Sequence, residues 1–156
     1  MKVDNNLITR NITETVKYNG NNGMQLMDRN NCAVLALAEA FELAYDVAYN
    51  YAQAVWVRIK RKGVVTDNII NTFNSGIKIL DKKVTEQKVY TKYRQSNGKY
   101  ISRKMKISTF IKEHPKGIYY VIVKRHALVI KEGVMYDNAG FTDRFNRPIH
   151  YAWKIK

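Results

Sequence analysis

The chain has a single cysteine, Cys32, in 156 residues, and that scarcity removes whole classes of chemistry. A lone thiol closes no internal disulfide, so nothing asks for an oxidising compartment, and a reducing cytoplasm is the expectation. One cysteine cannot build a cysteine-based zinc site, and the three histidines are scattered without metal-ligand spacing. No metal and no cofactor are expected. No apolar run approaches the ~20 residues of a membrane span, and a start carrying Lys2, Asp4, Asn5 and Asn6 lacks signal-peptide character, so no membrane partner is expected. Acidic residues are also few: 13 Asp and Glu stand against 27 Lys and Arg, a net charge of +14. That balance fits nucleic acid or an acidic protein as partner, and equally a surface kept soluble by lysine.

What is present is an ordinary globular composition, 46% hydrophobic and 26% charged, at a length suited to one domain over 1–156. Residues 12–18 could form an edge strand, followed by an Asn- and Gly-rich loop over 19–23. A helix starts with Asn30 or Asn31 as cap and runs to about Glu42. It is apolar on nearly every side, which predicts burial at the centre of the domain. A second helix is expected over 45–60, its basic end (Arg58, Lys60, Arg61, Lys62) suiting a helix C-terminus before Gly63. A third follows Thr66 as cap, with Ile69, Ile70 and Phe73 as its stripe. From Glu86 the pattern turns to strands: 88–94 and 99–105 around Ser96-Asn97-Gly98, then 117–123, 126–130, 134–136 and 149–155. A short helix over 109–113, capped by Ser108, interrupts them before His114-Pro115. Helices first and an antiparallel sheet later make an α+β fold.

Cys32 follows Asp28-Arg29-Asn30-Asn31 and opens the first helix. There a thiol meets unpaired backbone N–H groups and the positive end of the helix dipole, both of which favour thiolate. A lone cysteine can equally be a small buried hydrophobe. His126 sits between two apolar runs, with Asp137-Asn138 after the next one. If Glu132-Gly133 is a two-residue turn, His126 faces Ala139 and Asp137 is its diagonal neighbour on the same face. If the loop is Lys131-Glu132-Gly133, Asn138 lies directly opposite instead. Either register gives the imidazole an oxygen ligand that fixes its tautomer and leaves the other ring nitrogen for the thiol proton.

These blocks resemble a family of small tailed-phage proteins with a papain-like cysteine peptidase fold. The likeness rests on Arg29-Asn30-Asn31-Cys32, Ala44-Tyr45-Asp46, His114-Pro115-Lys116-Gly117-Ile118-Tyr119, His126-Ala127 and Gly133 to Asp137, about two fifths of the chain. It departs from the family at Asn31, often Asp there, and at Arg125, commonly Gly; a guanidinium at 125 would lower the basicity of the imidazole or discourage a bulky substrate. The resemblance implies a central helix carrying Cys32 packed on the sheet, with Cys32, His126 and Asp137 (or Asn138) as catalytic residues. It implies Gln25 or Asn30 as oxyanion donor beside the cysteine's own N–H, and a peptide or protein substrate cut by thiol acyl chemistry in the host cytoplasm.

A competing feature is the basic, aromatic hairpin over 86–106. With Asn97-Gly98 as a two-residue turn, Lys92 pairs with Arg103, and Lys88, Lys92 and Arg94 share a face with Arg103. Like charges paired across strands cost stability, which a polyanionic partner would relieve. The alternative function is therefore a nucleic-acid-binding or acidic host-factor-binding protein on the same scaffold with an inactive site.

Overall fold

In a computed structural model, residues 7–16, 30–59, 61–138 and 144–156 are described. The chain is mixed α and β. Strand β1 (Ile8–Asn11) leads into a one-turn helix α1 (Ile12–Thr15), and three helices follow: α2 (Cys32–Phe41), α3 (Tyr45–Val55) and α4 (Thr66–Phe73). Then come β2 (Val84–Glu86), β3 (Tyr90–Arg94), β4 (Tyr100–Lys104), helix α5 (Ile107–Glu113), β5 (Ile118–Val123), β6 (His126–Lys131), β7 (Val134–Asp137) and β8 (Ile149–Ile155). Six strands form one sheet in the order β1-β7-β6-β5-β8-β2, while β3 and β4 form a separate two-stranded sheet. The main sheet is antiparallel except at one edge, where β1 runs parallel to β7.

The strand expected over 12–18 is corrected. The extended segment lies earlier, and Asn11 caps α1 by accepting from the Thr13 N–H at 3.0 Å. An Asx cap offers the backbone a turn in place of a ladder. The loop over 19–23 lies outside the described residues.

Helix α2 is the centre expected of it: every residue from Ala33 to Phe41 is buried. One face of the sheet packs on α2, α3 and α4 through Tyr120, Val129 and Trp153, and the other packs on α5 through Val121, Leu128 and Ile130. Alternation along β5 and β6 delivers one set of side chains to each layer. On the helical side Phe73 of α4 meets Tyr120 at 5.0 Å and Trp153 at 5.1 Å between ring centroids, with Trp56 edge-on at 5.8 Å. Burying such a ring removes ~150–250 Å² from water, worth about 4–6 kcal/mol before entropy is counted. The Tyr120 hydroxyl then reaches past the cluster and donates to the Ala33 carbonyl at 3.0 Å. The aromatic core thus holds the first turn of α2, where Cys32 lies.

Helix α3 stops five residues short of the expected end. Trp56 caps it and is almost fully buried, and Val57 takes a left-handed φ of 55°, so the basic run falls beyond the helix. Arg58 is only 4% exposed; its Nε donates to the Lys62 carbonyl at 2.8 Å and its guanidinium lies 5.7 Å from the Tyr49 ring. Arg58 thus closes the turn after the helix rather than complementing its dipole. Thr66 and Ser108 are not caps but lie inside α4 and α5. Strand β2 is three residues long and exists by pairing with β8.

Candidate thiol–imidazole–carboxylate site

The β6–β7 connection sets the site. Lys131 pairs with Val134, and Glu132 and Gly133 both have positive φ (51° and 75°), the signature of a two-residue type I′ turn. This selects the first of the two registers: Asp137 becomes the diagonal same-face neighbour of His126. His126 begins β6 and Asp137 ends β7, so antiparallel pairing brings both to one end of the sheet. There His126 Nε2 and Asp137 Oδ1 are hydrogen-bonded. Asn138, the alternative partner, contributes its backbone N–H to the same Oδ1 at 2.7 Å, while its side-chain Oδ1 is buried without a partner among the described residues.

Asp137 is 1% exposed, and its second oxygen accepts from Arg147 Nη2 at 2.6 Å. Burial alone would raise this carboxyl, but His126 and Arg147 more than offset it, and its pKa is lowered. Arg147 was not among the residues singled out in the sequence. It lies in a loop just before β8 with no local motif, and only the need of a buried carboxylate for a second donor could have pointed to it.

With Nε2 engaged, the remaining ring nitrogen of His126 is left for Cys32, and the two side chains are hydrogen-bonded. The thiol is half-buried at the first position of α2. Burial pushes its pKa up. The hydrogen bond and charge of His126, with the backbone N–H groups of Ala127 and Ala33, outweigh burial and bring it below the ordinary thiol range. For His126 burial works against the charged form, yet Asp137 and Cys32 raise it to about 9. Both shifts favour a thiolate beside an imidazolium over the neutral pair. Arg125, expected to lower the basicity of the ring, is not among the groups that act on it. It occupies the β5–β6 turn at φ 56°, the left-handed conformation in which glycine is easiest.

Of the two expected oxyanion donors, Gln25 lies outside the described residues. The Asn30 side chain is held elsewhere, its amide donating to the Arg61 carbonyl at 3.0 Å. Asn31 makes no side-chain cap either; its amide donates to the Tyr45 hydroxyl at 2.9 Å and ties the starts of α2 and α3 together. The first-turn N–H groups of α2 thus keep no side-chain cap from Asn31, and the Cys32 N–H is one of them. Of the other histidines, His114 packs on the Phe110 ring at 4.3 Å and His150 lies on β8. Among the described residues, no three of His, Cys, Asp and Glu gather as a metal site, and no helix is long and apolar enough to cross a membrane.

No family model, curated protein or solved structure matches the chain.

The basic hairpin departs from its expected register. Thr91 faces Arg103 and Lys92 faces Ser102, one step from the expected pairing. The loop has three residues: Gly98 donates to the Gln95 carbonyl at 2.9 Å, Asn97 Oδ1 accepts from the Lys99 N–H at 3.0 Å, and only Gly98 is left-handed. A one-residue slip moves side chains to the opposite face. Arg103 therefore leaves the face of Lys92 and Arg94 and lies 5.7 Å from the Tyr93 ring, and Lys104 takes its place. Lys88 precedes β3 and is exposed.

Proposed function

We propose that the protein is a cysteine hydrolase of papain-like type, acting on an amide bond of a peptide or protein. Cys32 is its nucleophile, His126 its acid–base and Asp137 its orienting carboxylate. The observation that carries this reading is the hydrogen-bonded series from Cys32 through His126 to a buried Asp137, with the thiol pKa lowered and the imidazole raised. A structural cysteine gains nothing from such a partner, whereas a nucleophile needs both its charge and its direction. The likeness to small tailed-phage peptidases supports the same reading and implies action in the host cytoplasm.

In this mechanism the Cys32 thiolate attacks the carbonyl carbon, and the oxyanion forms against the Cys32 backbone N–H at the positive end of α2. Imidazolium His126 protonates the leaving amine as the C–N bond breaks, giving an acyl-thioester and a neutral ring. The ring then takes a proton from water as its oxygen attacks the thioester. Collapse releases the carboxylic acid and restores thiolate and imidazolium. Asp137 keeps Nε2 occupied throughout, so the ring cannot turn away from the sulfur.

The test is the pH dependence of Cys32 alkylation in wild type and His126→Ala, read by intact mass. The wild-type midpoint is expected clearly below ~8.5 and the variant midpoint at or above it. Coincident profiles near that value would leave an inert thiol and favour the binding-protein reading.

A further inference from the structure

The hairpin β3–β4 stands as its own sheet, and its outer face has an unusual composition. Tyr90 is paired with Lys104, Lys92 with Ser102 and Arg94 with Tyr100, so these six side chains share one face. All six are exposed, Tyr100 to 65%. The opposite face carries the half-buried Thr91 and Ile101, which turn it partly towards the body of the protein, beside exposed Tyr93 and Arg103, which contact each other. The outer face thus holds three cations, two aromatic rings and a hydroxyl, and no acidic residue occurs from Gln87 to Lys106.

Charge on an open hairpin blocks edge-to-edge pairing, but it gives no reason for the exposed tyrosines. Neighbouring cations on one face repel, and tyrosines left in water contribute little packing. The pattern does match a polymer whose backbone is anionic and whose side groups are flat rings. Tyr90 and Tyr100 lie at opposite ends of the face, four positions apart along the strands or about 13 Å, far enough to take separate bases. We propose that this face binds single-stranded nucleic acid, with bases stacked on Tyr90 and Tyr100 and phosphates held by Lys92, Arg94 and Lys104.

The positive region also continues off the hairpin. A groove of about 450 Å³ at its foot is lined by Lys88, Tyr90, Lys104, His150 and Tyr151, with Glu86 as its one acid. His150 itself is held towards its neutral form, first by burial and then by the charges of Lys104 and Lys124. An acidic peptide would satisfy the cations and leave both tyrosines idle; a duplex would offer phosphates but no open base. The rings decide for single strands.

The experiment is fluorescence anisotropy of the full chain with a short, labelled, mixed-sequence oligonucleotide, as DNA in one arm and RNA in the other. Saturable binding that weakens between ~50 and ~200 mM salt is expected. Replacing Lys92, Arg94 and Lys104 by Ala together should reduce the salt slope by about 2, the share of three single-strand phosphates. Tyr90→Ala and Tyr100→Ala should each weaken binding roughly tenfold without changing that slope. Cys32→Ala should bind as wild type, which separates this surface from the thiol site. Tyrosine variants that bind like wild type, or a duplex or polyglutamate that competes as well as the unlabelled single strand, would overturn the proposal.

Discussion

Arg147 Nη2 lies 2.6 Å from Oδ2 of Asp137, the oxygen that His126 does not use. A carboxylate with no side-chain exposure is thereby held by a cation on each side, and it can stay ionised in the interior. The relation explains how a buried Asp137 can hold a proton on His126 rather than take one itself.

Removing that cation has a stability cost. Breaking a fully buried pair costs about 3–5 kcal/mol; the Arg147 side chain is 19% exposed, which lowers the expectation for Arg147→Met to roughly 2–3 kcal/mol. Arg147→Lys keeps a charge but loses the planar fork and should recover part of the loss. Urea unfolding at neutral pH measures both. A midpoint for Arg147→Met equal to wild type would mean that Asp137 does not need its second partner.

Asp137→Asn should raise the Cys32 alkylation midpoint by about one pH unit or more, because the imidazolium that stabilises the thiolate loses its counter-charge. Alkylation at neutral pH should slow roughly tenfold. Asn138→Ala should change neither, since only the backbone of Asn138 reaches Asp137. If Asn138→Ala gave the larger shift, the roles of the two residues would have to be exchanged.

The two titrating partners act on stability in opposite senses. His126 is raised from an unfolded value of ~6.5 to about 9, so its share is fully present below ~6.5 and is lost as pH rises through 9. Cys32 is lowered, so its share is present above the unfolded thiol value and is lost as pH falls through the folded one. In wild type the two trends oppose each other as pH rises. Cys32→Ser leaves the part of the histidine term that Asp137 sustains. Its Tm should fall more steeply than that of wild type as pH rises above ~6.5. Parallel curves would count against the coupling.

Gly133→Ala should cost about 1–2 kcal/mol, the penalty for an L side chain at φ 75°, because the added methyl has room, 3.6 Å from the Pro115 carbonyl oxygen. Arg125→Gly should cost little or stabilise slightly, since it relieves φ 56° in the neighbouring turn while adding freedom to the unfolded chain. Thermal melts compare them; equal losses would remove the backbone argument.

Much of the site was legible because it rests on local rules. An all-round apolar helix after Asn30-Asn31 has one place to go, the centre, and Cys32 goes with it. Glu132-Gly133 between apolar runs allowed two registers, and both delivered an oxygen to His126; only the φ angles chose Asp137. The β3–β4 register was misread because Asn97-Gly98 suits a two-residue turn, while the structure uses Ser96 as well and left-handed geometry at Gly98 alone. The end of α3 carried no glycine or proline to mark it; burial of Trp56 against Phe73 and Tyr120 ends the helix by tertiary packing. Arg147 was invisible for the same reason: its role is defined by a partner in space.

The type I′ turn at Glu132-Gly133 also separates the site into two halves that form on different clocks. His126 and Asp137 are joined by one tight hairpin, a contact that closes within microseconds in an isolated chain. Cys32 must arrive from far upstream, carried on a helix that docks only when the aromatic core closes over Ala33. The thiol therefore meets its imidazole only where α2 is docked on the sheet, and its reactivity depends on a completed core. Thiol reactivity is then a built-in reporter of completed folding.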